Sequence, residues 1–219
     1  MRFLNKNNIM WTCLLILVYL LTHGIVNSDI FIDYYKGSLI PEFTGVFLEL
    51  LIILAIFNKW QERIDNQNKV DKERVLRKYI IFTINKLRAF DSIPTTFSFY
   101  GENHNENHAT LNSLRDEVRA LSSNDVYEKV GDDFIKHCKI DVDAITALLP
   151  VAADLSKEHF KSWSRLVFYV KKLSSDDVKK LSSDDVKKED VKEYIVNLIE
   201  YIRDFDDASF KNKIYDGAK

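Results

Sequence analysis

Two carboxylic acids and a glycine stand inside the apolar run Leu39–Phe57: Glu42, Gly45 and Glu49, spaced three and four apart. At 3.6 residues per turn that spacing puts all three on one face of a helix. A carboxyl near the centre of a bilayer costs about 2–3 kcal/mol on insertion scales, so such groups are found among helices or beside water. The chemistry open to this face is shared hydrogen bonding and the admission of water, and a glycine lets a neighbouring helix come close. In an antiparallel hairpin His23 and Glu42 fall at similar depth and form a pair, whereas Glu49 has only Leu15–Leu17 opposite it. Glu49 is therefore protonated, meets another subunit, or lines a wet cavity. A neutral Glu49 that only tunes packing is the competing expectation.

Elsewhere the chemistry-bearing residues are sparse. His104 and His108 are four apart, a spacing that brings two imidazoles to one metal if the segment is helical. The Asn-rich run around them reads as a solvated loop without a third ligand, and Glu106 is misplaced for HExxH, so no metal site is expected. His137-Cys138 and His159 fit no nucleophile arrangement, and GxxxxGK[ST], GxGxxG and GxSxG are all absent. The chain is expected to be neither an enzyme nor a cofactor binder. It also lacks a potassium-filter sequence and a row of spans, which leaves a conventional channel or transporter unsupported. Cys13 and Cys138 are isolated and make neither a disulfide framework nor a CxxC site, as suits a reducing compartment.

The elements that must position the polar face are two membrane spans, about 9–26 and 39–57. Ile9 to Val26 has no formal charge, and as a helix it is about 27 Å long, close to the thickness of a bilayer core. Trp11 and Trp60 stand near the inner ends and Tyr34 and Tyr35 in the connection, where amphipathic rings prefer the headgroup level. A cleaved signal peptide ending near Val26-Asn27-Ser28 is the alternative for the first run, but its apolar stretch is longer than the usual signal core. Residues 59–88 carry nine basic and four acidic side chains, a local +5. The cluster Lys59, Arg63, Lys69, Lys72, Arg74, Arg77 and Lys78 follows the second span directly, so the positive-inside rule puts that end in the cytoplasm. With Arg2 and Lys6 before the first span, both termini are expected in the cytoplasm and the protein in a bacterial inner membrane as a multi-pass chain.

The expected fold is all-α: a transmembrane hairpin over 1–58, a juxtamembrane helix or stalk over 59–92, and a cytosolic α-helical domain over 93–219. No Pro or Gly interrupts the sequence from Phe57 to Phe90, so the second span runs on into an apolar face of Val75/Leu76, Tyr79/Ile80, Thr83/Ile84, Leu87 and Phe90. The segment TTFSFYG and the following ENHNEN read as a loop, with helix resuming at Ala109. Two further stripes are Phe160, Trp163, Leu166/Val167, Val170, Leu173 and Val191, Tyr194/Ile195, Leu198/Ile199, Ile202, Phe205. Such a bundle leaves little room for a deep cleft. KKLSSDDV at 171–178 recurs at 179–186, and its eight-residue period supports no coiled-coil seam. It reads as a duplicated connector rich in helix N-cap residues, and LSSNDV at 121–126 carries the same cap chemistry.

The 219 residues are 46% apolar and 29% charged, an ordinary folded composition. The overall net charge of -2 gives no general attraction to nucleic acid, and none is expected to bind directly.

Two N-terminal spans, a short outer loop, the stretch PEFTGVFLELLIILAIFNKWQER and a helical tail resemble the two-helix transmembrane effectors of bacterial retron antiphage systems, over residues 1–65. The resemblance implies a toxin-like effector held inactive by a reverse transcriptase and its RNA–DNA hybrid. On phage infection it would damage the inner membrane and stop the cell by abortive infection. The function expected is thus membrane perturbation by an oligomerising hairpin in contact with the lipid bilayer. The alternative is a membrane-anchored adaptor or scaffold whose helical bundle binds a protein partner.

Overall fold

The computed structural model describes residues 15–16, 18–19, 22, 37, 40–175 and 185–215. Its regular elements are all helical: α1 (Ile40–Lys86), a 3₁₀ turn (Gly101–Asn103), α2 (His104–Ala120), α3 (Ser123–Ala147), α4 (Leu149–Leu155), α5 (Lys157–Ser174) and α6 (Asp185–Lys211). The fold is all-α. Two compact units divide the chain, Met1–Asp65 and Asn66–Lys219.

In the first unit Leu15, Ile16, Val18, Tyr19 and Thr22 are helical, and Thr22 Oγ1 donates to the Val18 carbonyl at 2.9 Å. The opening turns of α1 carry Phe43, Val46, Leu48, Ile52, Ile53, Ile56 and Phe57 on several faces, all exposed. A helix that is apolar all round and unburied is suited to hydrocarbon rather than water. Among the described residues α1 is long and apolar enough to cross a membrane: its most apolar window has a mean hydropathy of 1.7 and no buried residue. Trp60 is also exposed, its ring 5.9 Å from that of Phe57. Arg2, Lys6, Trp11, Cys13, His23, Tyr34, Tyr35 and 176–184 of the duplicated segment lie outside the described residues.

The second unit is a helical bundle. Here α1 continues as one helix, as its lack of Pro and Gly predicts, and Leu76, Ile80, Ile84 and Leu87 enter the core. Around a narrow interior gap Ile80 and Thr83 meet Trp163, Leu166 and Val170 of α5 and Leu198 and Ile202 of α6. Helix α6 packs on α2, α3 and α5, and its predicted stripe is buried at Val191, Ile195, Leu198, Ile199, Ile202 and Phe205. Helix α3 starts as LSSNDV predicts: Ser122 Oγ accepts the Asp125 N–H at 3.2 Å. Pro150, which has no N–H to donate, stands in the first turn of α4 and marks the break from α3 at Leu148.

The segment between α1 and α2 is held rather than loose. Phe90, Ile93, Phe97 and Phe99 are buried, and Arg88 donates to the carbonyls of Thr95 and Phe97 at 2.8 and 3.0 Å. Glu117 accepts from the Ser92 hydroxyl at 2.6 Å and from the backbone N–H groups of Asp91 and Ser92, with Lys129 3.1 Å away. Partial burial pushes the Glu117 carboxyl up, but those donors outweigh it and hold its pKa at about 2.

Two expectations are corrected. The ENHNEN run is no loop: α2 begins at His104, not at Ala109. Tertiary hydrogen bonds override the weak helix propensity of asparagine, since Asn107 is fully buried and its Nδ2 donates to the Tyr100 carbonyl at 2.8 Å. On α5 the inward stripe holds His159 rather than Phe160; Phe160 is 44% exposed and His159 0%. The polar neighbours described below make that exchange possible.

Candidate functional site

Glu42, Gly45 and Glu49, expected to form an intramembrane face, fall within α1, and all three are exposed. A Cβ built on Gly45 meets nothing within 4 Å, so that face has room for a neighbouring helix. Neither Glu42 nor Glu49 has a hydrogen-bond or ion-pair partner among the described residues. Their expected companion His23 lies outside those residues, so no pairing of it with Glu42 is described.

The expected basic cluster separates into two kinds of residue. Lys59, Arg63 and Lys78 are exposed, Lys69 is half-buried, Arg74 pairs with Asp71 at 3.2 Å, and Lys72 reaches Asp154 at 3.0 Å. Arg77 is different: it is buried, and its charge belongs to the interior of the bundle rather than to a basic surface.

Arg77 Nε donates to Glu73 Oε1 at 2.7 Å and its Nη1 to Asp206 Oδ1 at 2.7 Å. Its Nη2 is 2.6 Å from Glu73 Oε1 but out of line for a hydrogen bond, which leaves that buried atom without one. The guanidinium carbon lies 4.7 Å from the Phe99 ring centroid and 5.8 Å from that of Phe205, so aromatic faces supply part of its environment. Glu73 is also buried, and desolvation raises its carboxyl pKa against the lowering influence of Arg77 and Ser209.

Around this pair runs one hydrogen-bonded chain from α5 to α2. Ser209 Oγ donates to Glu73 Oε1 at 2.8 Å and therefore accepts from His159 Nε2 at 3.1 Å. That assignment makes His159 a neutral Nε2–H tautomer whose Nδ1 accepts from Ser156 Oγ at 2.9 Å. Burial, with Arg77 adding to it, brings the His159 pKa down to about 4. On the other side of Arg77, Asn107 Nδ2 donates to Asp206 Oδ1 at 3.1 Å and His104 Nδ1 meets Asp206 Oδ2 at 2.8 Å.

His104 and His108 now share a helical face, their ring centroids 4.4 Å apart, and α6 brings Asp206 and Asp207 to them. The ligand atoms of His104, His108 and Asp206 lie within 4.8 Å of one another, a grouping compact enough for a metal centre. The sequence lacked only the third ligand, which comes from a helix about a hundred residues away.

A cleft of about 530 Å³ opens beside the network, lined by Glu73, Arg74, Arg77, Lys78, Ile81 and Tyr100–Glu102. The bundle thus holds more open space than its sequence suggests. Gly101 admits a close approach on its wall, because an added Cβ would collide with the Tyr215 side chain. Cys138 is no nucleophile candidate: burial, with Asp141 nearby, pushes its thiol up to about 12. No protein-family model, curated protein or solved structure matches the chain.

Proposed function

We propose that this chain is an inner-membrane effector that acts on the bilayer itself. Its working part is a two-helix hairpin with spans at 9–26 and 39–57 and both termini in the cytoplasm. The observation that carries this reading is the exposed Glu42, Gly45 and Glu49 face on the largely apolar opening turns of α1. Unpartnered carboxyls in hydrocarbon favour association with other copies or with water, and both routes weaken the bilayer as a barrier. The resemblance to retron effectors supplies the biological setting: antiviral defence by abortive infection, with a reverse transcriptase and its RNA–DNA hybrid as regulator. The helical domain is the part that would receive that regulator.

Expression of the parent chain without a regulator is expected to depolarise the inner membrane, read with a voltage-sensitive dye, before nucleotides or nucleic acids are lost. Replacing Glu42, Gly45 and Glu49 together by Leu keeps the helix apolar and is expected to abolish depolarisation at matched expression. Equal depolarisation by both forms would remove the polar face as the cause. An inert parent chain would return the protein to the adaptor reading.

A further inference from the structure

The His104 cluster does more than tie α2 to α6. We propose that it binds one divalent transition ion of the zinc type, with His104 Nε2, His108 Nε2 and Asp207 as ligands and Asp206 orienting His104.

Three observations converge on that assignment. First, one carboxylate oxygen of Asp207 lies 2.9 Å from His108 Nε2 and 3.7 Å from His104 Nε2. Ligand atoms each about 2.0–2.2 Å from a tetrahedral ion stand about 3–3.6 Å apart, so the Asp207 oxygen already stands near ligand spacing from both imidazoles. Second, His108 Nε2 is buried and, despite its short distance to Asp207, makes no aligned hydrogen bond. A buried ring nitrogen without a hydrogen bond is costly, and a metal ion supplies the missing partner. Third, the outer shell is already built. Asp206 meets His104 Nδ1 through one oxygen while Arg77 and Asn107 fix the other, and Phe210 stacks on the His104 ring at 4.0 Å with 4° between the planes. A carboxylate that holds the far nitrogen of an imidazole sets its tautomer and leaves the near nitrogen for metal.

The donor chemistry selects the ion. Two imidazoles and one carboxylate suit zinc and its first-row neighbours, whereas calcium and magnesium prefer an all-oxygen shell. Charge agrees: among the described residues Glu73 and Asp206 share the Arg77 cation, Asp207 stands beside the two imidazoles, and a divalent ion offsets the negative excess. Asp207 is half exposed, which gives the ion a route in and leaves a coordination position for water.

The test uses the full-length untagged protein in detergent, stripped with a chelator and titrated with Zn²⁺ and with Co²⁺. One equivalent of each is expected to bind. The cobalt form should show visible bands of nitrogen and oxygen ligation without thiolate charge transfer. His108→Gln and Asp207→Asn are each expected to weaken Zn²⁺ binding by at least about ten-fold. His137→Gln alters a histidine 3.3 Å from Asp141 on α3 and should leave the affinity unchanged. Asp207 is exposed enough for its variant to keep the parent far-UV circular dichroism, so a lost fold cannot account for lost binding. Absence of saturable binding, or binding equal in Asp207→Asn and the parent, would overturn the site.

Discussion

Glu49 and Glu73 lie on the same helix and meet opposite fates. Glu49 is exposed on a largely apolar stretch with no partner among the described residues, while Glu73 is buried and hydrogen-bonded to Arg77 and Ser209. The partners of Glu73 come from its own helix and from α6. The difference shows that a buried charge need not mark an active group. In the bundle Glu73 and Asp206 are held by Arg77, whereas Glu49 has no such partner among the described residues.

The sharpest way to break this contrast is to turn the interior into a second Glu49. Arg77→Ala strands the carboxylates of Glu73 and Asp206 and is expected to cost about 3–5 kcal/mol, measured by chemical denaturation in detergent. Replacing Glu73, Arg77 and Asp206 together by apolar residues of similar volume should recover much of that loss. A stable Arg77→Ala protein would mean that the network is as dispensable as an exposed pair.

The neutral histidine at the end of the same chain gives a pH signature. His159 titrates near 4 when folded and 6.5 when unfolded, so between those values the unfolded chain binds more protons. The folded state is therefore expected to lose stability as pH falls from about 6.5 to about 4, and His159→Gln should flatten that slope. Thermal unfolding at pH 7, 6, 5 and 4 reads it, with the parent and variant curves compared at each pH. Parallel curves would mean that His159 is not held neutral by its burial.

Helical phase made most of the core legible in advance. Leu76, Ile80 and Ile84 on α1, Leu87 just after it, and Ile195, Leu198, Ile202 and Phe205 on α6 fall where a 3.6-residue period puts them, and Ser122 caps α3 as its residue type requires. The network is hidden in the sequence because its residue types are those of a protein surface. Glu73 and Arg77 flank Leu76 on the buried face, and Asp206 and Ser209 continue the α6 stripe past Phe205. Residue type alone sends such side chains to the surface, and only the pairing of two stripes rich in polar residues shows where they go. The start of α2 is hidden for a related reason: beside the nearby Tyr100 carbonyl, Asn107 is held by Asp206, far away in sequence. His23 and the first span remain expectations, since they lie outside the described residues.

The exposed carboxyl permits a finer test. If Glu49 finds its partner in a second copy, Glu49→Gln should keep self-association and Glu49→Ala should weaken it by about 0.6–2 kcal/mol, the range of intramembrane hydrogen bonds. Cross-linking yield against protein-to-detergent ratio measures this. A monomeric parent protein would leave Glu49 to water alone.

The smallest effect expected belongs to a pair that resembles the buried network in chemistry but not in setting. Lys72 Nζ lies 3.0 Å from Asp154 Oδ2, as close as many interior contacts, yet the two side chains are 41% and 63% exposed. Water solvates both charges before and after folding, and holding two flexible side chains together costs entropy. Their coupling is therefore expected to be about 0–1 kcal/mol and to fall with added salt. A double-mutant cycle with Lys72→Ala and Asp154→Ala, run by denaturation at 50 mM and 500 mM salt, isolates the pair from the packing each side chain contributes. A coupling as large as that expected for Arg77 would show that proximity rather than burial sets the strength of these pairs, and the distinction between Glu73 and Glu49 would lose its physical basis.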